Sequence, residues 1–219
     1  MLKVENKFVF GWEAAIRGMR NPMNSWHLSD TAYNVYGYPQ CDVIGEKDLR
    51  LMQNLSKAGS DHGKFLRYIN VTVDITAPLY WWKEFDTYKV GTVANSCSTM
   101  HKIQAKEFEF DDFSCEHLFN DYDRKNVSDD YDYFTTFEVV IDALNDARKV
   151  FIETKDKKYW WQMIQLLPSS YNQKRTVQLN YQVLKTMYFA RRNHKLDEWH
   201  TLCEWMETLP YFKEICIQE

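Results

Sequence analysis

Residues 87–99, TYKVGTVANSCST, form a run of hydroxyl-bearing and small residues, and its side chains are the first candidates for a functional site. Lys89 brings a positive charge to this run, and Thr92 and Ser98 bring hydroxyl groups. Such a run makes a poor helix and a poor core, whereas the backbone N–H groups and hydroxyls of a loop can bind an anion. The run therefore predicts a loop that holds an anionic group of a small ligand.

A second pair of candidate residues lies in the basic stretch QKRTVQLNYQVLKTMYFARRNHK, which we predict to belong to a long helix over about 172–192. Asn180 and Arg191 are eleven residues apart, about three helical turns, so both would point the same way, roughly 16 Å apart along the axis. An amide and a guanidinium on one helix face could contact two parts of one extended ligand. The alternative is that both side chains are simply exposed.

Common signatures of nucleophiles, metal sites and phosphate loops are absent from the sequence. It has no GxSxG, HExxH, GxxxxGKS or GxGxxG motif. The five cysteines never form CxxC, which predicts reduced thiols, with neither a zinc site nor a disulfide framework. We therefore expect no metal, and the sequence identifies no catalytic residue.

The composition excludes several classes of protein. The chain has 219 residues, of which 45% are hydrophobic and 26% charged, as in a globular protein with a substantial core. A net charge of −4 argues against binding to duplex nucleic acid, and no apolar run reaches membrane-spanning length. We expect a cytoplasmic protein without a membrane partner. The 16% aromatic content suits the core and a subunit interface, with a stacking surface for a flat ligand as the alternative.

The periodicity of the apolar residues predicts the elements that position these side chains. Ile69, Val71, Val73 and Ile75 alternate with polar residues, which predicts a half-buried strand that Pro78 ends. Helical spacing predicts further helices over 46–58, from Pro78 through Phe85, from Thr135 to about 153, in KKYWWQMIQLL and in LDEWHTLCEWMETL.

These elements predict an α+β fold in which helices surround a small, mainly antiparallel sheet. We expect a single domain over 1–219, with an irregular N-terminal segment over about 1–45 and an acidic flap or insertion over about 105–133. Thr135 and Glu138 form a capping-box pattern at the start of the helix that follows the flap.

Two blocks of the sequence resemble flavin-dependent thymidylate synthases. FLRYINVTVDITAPLYWWKEFDTYKVGTVANSCSTMHKI resembles the part of that family in which a helix, a strand and a further helix lead to the signature RHRxxSxNxxSxR. LLPSSYNQKRTVQLNYQVLKTMYFARRNHKLDEWHTL is similar to the family's second conserved region, to which Leu167, Pro168, Asn180 and Arg191 align without gaps. The two blocks cover somewhat under half of the chain.

The signature is largely lost. Aligned without gaps it falls on TYKVGTVANSCST, where only Lys89 and Thr92 are chemically similar to the family's residues. Its first and last arginines become Thr87 and Thr99, and a hydroxyl cannot reproduce the bidentate phosphate contact of a guanidinium. Each lost charge-assisted hydrogen bond costs on the order of 1.5–3 kcal/mol of binding. We therefore expect the pocket to persist with a changed ligand.

Three further positions depart from the family. Tyr88 replaces the histidine of the signature, Glu84 replaces a glutamine that contacts the nucleotide, and Tyr68 replaces a histidine associated with the flavin. The resemblance implies two groups of site residues. For the nucleotide these are Arg191, Lys89, Thr92, Ser98 and Glu84, and for the cofactor they are Asn180, Tyr88 and Tyr68.

The resemblance also implies FAD as a cofactor, a nucleotide-like small anion as the ligand, and a homotetramer with sites between subunits. One hypothesis is an enzyme that binds a pyrimidine nucleotide and transfers a methyl or one-carbon group to its base. In that family, reduced FAD supplies the hydride, methylenetetrahydrofolate supplies the carbon, and dUMP receives that carbon on its base.

The alternative is a catalytically degenerate protein on the same fold that binds or sequesters a nucleotide or a protein partner. A third hypothesis is a structural oligomer without a ligand.

Overall fold

The computed structural model describes residues 2–39, 43–119 and 132–218, and it has an α+β fold. Its four strands form one small antiparallel sheet in the order β1-β2-β4-β3. The strands are β1 (Lys3–Phe10), β2 (Asn70–Pro78), β3 (Val93–Ser96) and β4 (Asn172–Asn180). The helices are α1 (Trp12–Arg20), α2 (Glu46–Lys57), α3 (Leu79–Phe85), α4 (Thr99–Lys102), α5 (Tyr133–Thr154), α6 (Lys157–Leu166), α7 (Tyr181–Arg191) and α8 (Asp197–Glu207). The predicted fold class is confirmed.

The chain divides into two compact units. The smaller unit comprises Thr76–Glu84 and Ser96–Arg175, and the larger unit comprises Leu2–Ile75, Phe85–Asn95 and Thr176–Glu219. The prediction of a single domain over 1–219 is not tested by this division and stays a prediction.

Strand β2 forms where the alternating pattern predicted it. Val71, Val73 and Ile75 are fully buried while the residues between them are half-buried. Burial of each of these side chains stabilises the larger unit by about 1.5–3 kcal/mol. Pro78 is the last residue of the strand, and α3 begins directly after it.

The long helix that we predicted over about 172–192 is wrong in its first half. Residues Asn172–Asn180 form strand β4, and the helix α7 begins only at Tyr181. Val177 and Leu179 are buried two positions apart, with exposed Gln178 between them, which is the period of a strand. Asn180 has an extended backbone and therefore does not share a helical face with Arg191.

Two boundary predictions also need correction. The segment over about 1–45 that we predicted to be irregular contains β1 and the helix α1, which buries Trp12, Ile16 and Met19. Helix α5 is capped by Asp132, whose carboxylate accepts the Thr135 N–H at 3.1 Å, so the predicted capping box at Thr135 is wrong.

The acidic segment that we predicted as a flap over about 105–133 is described only up to residue 119 and again from 132, and its remainder lies outside the described residues. Phe108 and Phe113, within the described part, are buried in the core of the smaller unit. They pack there with Ile141, Leu144 and Met163. These two rings therefore belong to the core, which is a correction to the flap prediction.

A buried ion pair holds the segment that precedes α2. Arg20 and Asp48 are 4% and 0% exposed, and Arg20 Nε–H donates to Asp48 Oδ1 at 2.7 Å. The other oxygen of Asp48 accepts hydrogen bonds from Ser29 Oγ at 2.8 Å and Thr31 Oγ1 at 2.7 Å, and from the backbone N–H groups of Asp30 and Thr31. One carboxylate therefore fixes α1, α2 and the chain between them.

None of the helices within the described ranges combines the length and the apolarity that a membrane span requires. Across residues 2–39, 43–119 and 132–218, no group of three or more His, Cys, Asp and Glu side chains is placed to hold a metal ion.

Candidate functional site

A cavity of about 420 Å³ in the larger unit brings together predicted and unpredicted site residues. Its volume lies in the range of small-molecule sites, about 300–1,000 Å³. The cavity is formed by the 3₁₀ helix Gly63–Arg67, the turn after α3, and the start of α7. Its lining residues are Arg67, Thr87, Tyr88, Val90, Gly91, Asn180, Gln182, Val183 and Thr186.

Asn180 joins β4 to α7 at the wall of this cavity. Its Oδ1 accepts the Val183 N–H at 3.1 Å and so caps α7. Its Nδ2 faces Gly91, because a Cβ added at Gly91 would lie only 3.1 Å from that atom. Gly91 has a φ of +80°, a conformation that favours glycine, so the sequence of the turn permits this close approach.

Tyr88 links the cavity to Arg191, which is not among the lining residues. Arg191 Nε–H donates to the Tyr88 hydroxyl at 2.9 Å. The guanidinium carbon lies 5.6 Å from the centre of the Tyr88 ring and 4.9 Å from that of the buried Trp199. The half-buried Arg191 thus packs against two aromatic rings, one of which, Tyr88, lines the cavity.

The hydroxyl-rich run is only partly the loop that we predicted. Val93–Ser96 is the exposed edge strand β3, and a turn in which Thr92 N–H donates to Lys89 C=O at 3.4 Å precedes it. Lys89 is exposed, and neither Lys89 nor Thr92 lines the cavity. Thr92 Oγ1 is buried and has no hydrogen-bond partner among the described residues.

The other predicted residues lie elsewhere. Ser98 and Glu84 belong to the smaller unit, where Ser98 Oγ accepts the His101 N–H at 3.1 Å and caps α4. Tyr68 is 53% exposed, and its ring lies beside Gly18 rather than in the cavity. Of the eight predicted site residues, the structure brings Tyr88 and Asn180 into the cavity and connects Arg191 to it through Tyr88.

Sequence analysis missed Arg67, Gln182 and Thr186. Arg67 stands directly before Tyr68 in the block that carries the resemblance, but nothing in its local pattern distinguishes it from an exposed arginine. Gln182 and Thr186 are four residues apart, so they share a face of α7. That spacing would have been informative had the start of the helix been placed at Tyr181.

The chemistry of the lining favours an anionic ligand with hydrogen-bonding edges. Arg67 supplies a guanidinium, Asn180 and Gln182 supply amides, and Thr87 and Thr186 supply hydroxyls. The lining residues within the described part of the chain include no carboxylate. A positive charge among neutral donors and acceptors suits a ligand with one anionic group and one polar ring.

Comparison with solved structures identifies the fold, which is that of the flavin-dependent thymidylate synthases. A crystal structure of thymidylate synthase X (ThyX) from Helicobacter pylori with FAD and dUMP has a TM-score of 0.68 and 18% sequence identity to this chain. The similarity covers 100% of this chain and 98% of that one. A second structure of the same enzyme with FAD and dUMP has a TM-score of 0.65 at 18% identity, over 99% and 98% of the two chains.

No family model matches the sequence, and no curated protein matches it. The fold shared with the two solved structures nevertheless confirms the resemblance that the two sequence blocks carry. Because one fold hosts many functions, the fold alone does not identify the function of this protein.

Proposed function

We propose that this protein binds a pyrimidine nucleotide in the cavity beside Tyr88 and Asn180. The observation that carries the proposal is the lining of the cavity, which combines a guanidinium, two amides and two hydroxyls with no carboxylate in the described residues. The fold adds support, because solved structures with the same fold contain dUMP.

Each part of a mononucleotide has a chemical counterpart in this lining. A pyrimidine base presents carbonyl and N–H groups, which the amides of Asn180 and Gln182 can pair with. The aromatic ring of Tyr88 offers a surface for a flat base, and Thr87 and Thr186 offer hydroxyls to the sugar or the phosphate. The phosphate itself requires a cation, which the lining also contains.

The cavity fits FAD less well than it fits a mononucleotide. FAD is a dinucleotide with a diphosphate and two flat ring systems, whereas this cavity offers one guanidinium in about 420 Å³. The signature arginines of the family are also replaced here by Thr87 and Thr99. We therefore propose a nucleotide-binding protein. Flavin-dependent methyl or one-carbon transfer to the base is the second candidate, favoured by the full-length likeness to structures that contain FAD.

Calorimetry with dUMP tests the proposal. The wild-type protein is expected to bind dUMP, and Gly91→Ala is expected to weaken binding at least about tenfold. The added Cβ would lie 3.1 Å from Asn180 Nδ2 and 3.3 Å from Val183 Cγ2, on a backbone that disfavours a side chain. The visible absorbance of the same purified protein reports bound flavin, and a colourless protein that binds dUMP would reject the second candidate.

Gly59→Ala is the matched control for this substitution. Gly59 also has a positive φ, of +106°, but a Cβ there has no neighbour within 4 Å. It therefore imposes a similar backbone strain without filling the cavity. Failure of the wild type to bind dUMP, or equal losses for the two variants, would contradict the proposed site.

We also propose that the protein is a cytoplasmic homotetramer. The aromatic content of 16% supports the assembly, because aromatic residues are enriched at subunit interfaces. Static light scattering at micromolar concentration is expected to give about four times the mass of the 26.3 kDa chain. A monomeric mass would reject the tetramer.

A further inference from the structure

We infer that Arg67 is the phosphate anchor of this cavity, and that it replaces the guanidinium missing at Thr87. This inference rests on the proposed function. Both residues line the same cavity, although they lie twenty positions apart in the sequence. Thr87 leaves the turn after α3 without the positive charge of the family's first signature arginine. Arg67 supplies a positive charge to the same cavity from the 3₁₀ helix Gly63–Arg67.

The backbone on either side of Arg67 is held in place. Phe65 and Leu66, which precede it in the 3₁₀ helix, are 2% and 1% exposed and so fix the helix in the core. Two residues further on, the Ile69 C=O accepts the Tyr181 N–H at 2.9 Å, which ties the start of β2 to the start of α7. Arg67 is thus presented from a fixed turn next to the helix that carries Gln182 and Thr186.

The guanidinium of Arg67 is also available to a ligand. Within residues 2–39, 43–119 and 132–218 it has no ion pair, hydrogen bond or aromatic contact. Arg191, by contrast, is bonded to Tyr88 and packed on Trp199, and Lys89 lies outside the lining. A planar guanidinium matches a phosphate with two parallel N–H···O bonds, which the hydroxyl of Thr87 cannot supply.

This arrangement predicts selectivity for a nucleotide over the corresponding nucleoside. The amides and the Tyr88 ring would contact the base of either ligand, whereas Arg67 would contact only the phosphate. Removal of the Arg67 charge should therefore affect dUMP and leave deoxyuridine unchanged. A merely structural role for Arg67 would affect both ligands alike.

Calorimetry with dUMP and with deoxyuridine on four proteins tests the inference. The wild type is expected to bind dUMP at least about tenfold more tightly than deoxyuridine. Arg67→Gln is expected to lose about ten- to a hundred-fold in dUMP affinity with no change in deoxyuridine affinity. The dUMP affinity of Arg67→Lys should lie between those of the wild type and Arg67→Gln. Lys64→Gln, a change to an exposed lysine of the same 3₁₀ helix, is the control and should leave both affinities unchanged.

A compensating substitution tests the exchange of position directly. Adding Thr87→Arg to the Arg67→Gln protein should restore most of the dUMP affinity, and no recovery would overturn the claim that one residue replaces the other.

The single variants have their own contrary outcomes. Equal losses of dUMP and deoxyuridine affinity in Arg67→Gln, or an equal loss of dUMP affinity in Lys64→Gln, would overturn the role of Arg67. A wild type that binds both ligands equally would reject the anchor and leave the proposed pyrimidine site standing. A wild type that binds neither would reject both.

Discussion

Asp48→Ala is expected to lower the free energy of unfolding by about 3–5 kcal/mol, the usual cost of breaking a buried ion pair from one side. The substitution leaves the Arg20 guanidinium buried without its carboxylate, and it removes the acceptor for the hydroxyls of Ser29 and Thr31. A urea denaturation curve, monitored by circular dichroism, measures this loss of stability.

Arg17→Ala is the control for the ion-pair argument. The Glu13–Arg17 pair is exposed at 3.6 Å, and its removal should change stability by no more than about 0.5 kcal/mol. A loss below about 1 kcal/mol for Asp48→Ala would show that the segment between α1 and α2 is held by other contacts.

The same carboxylate makes stability depend on pH in the acid range. Burial alone would raise the pKa of Asp48, but hydrogen bonds from Thr31, Ser29 and Arg20 together lower this pKa below its ordinary value. A group whose pKa is lower in the folded state stabilises the fold above its unfolded pKa, here about 3.9. That contribution is lost as the pH falls from about 4 through the folded pKa, so the Asp48→Ala protein should lose less stability there than the wild type.

Arg191→Ala is expected to weaken dUMP binding by about ten- to a hundred-fold and also to lower the melting temperature by several degrees. A ligand contact on an open helix face, which is how the sequence alone would place Arg191, would change the melting temperature little when removed. The structure instead places its guanidinium against the Tyr88 and Trp199 rings, where cation–π contacts contribute about 0.5–2 kcal/mol each. Because Arg191 acts through the Tyr88 wall, the loss should apply equally to dUMP and to deoxyuridine.

Arg192→Ala is the matched control, since Arg192 is exposed and its guanidinium carbon lies 5.2 Å from the centre of the Phe189 ring, and neither residue lines the cavity. Tyr88→Phe keeps the ring and removes the acceptor of the Arg191 hydrogen bond. Its losses in dUMP affinity and in melting temperature should therefore be smaller than those of Arg191→Ala. Calorimetry and thermal denaturation on the three variants measure both effects. Equal losses for the two arginine variants would mean that Arg191 has no special connection to the cavity.

Local periodicity predicted much of the fold but could not separate β4 from α7. Val177, Tyr181 and Leu184 recur at helical spacing, while Val177 and Leu179 also fit the period of a strand, so the sequence satisfies both patterns. Pairing of β4 with β2 and β3 decides between them. Those partners lie about eighty or more residues away in the chain, and a local pattern contains no information about them.

The residues of the candidate site were predictable only where the resemblance reached them. Tyr88 and Asn180 were identified because they align with family positions, and both line the cavity. Lys89 and Thr92 were chosen for their chemical similarity to the signature, but neither residue lines the cavity. Arg67 was missed because its role depends on three segments meeting in space, which neither spacing nor composition reveals.

The shortness of the edge strand β3 has a consequence for assembly. Its four residues pair with β4 on one side, and within the described part of the chain no strand pairs with its other side. An open edge is a template on which sheets from other molecules can grow, and a very short edge strand is one way in which proteins limit that growth. So few backbone groups give little affinity for a second strand. We therefore do not expect the β3 edge to hold the proposed tetramer together by extending this sheet.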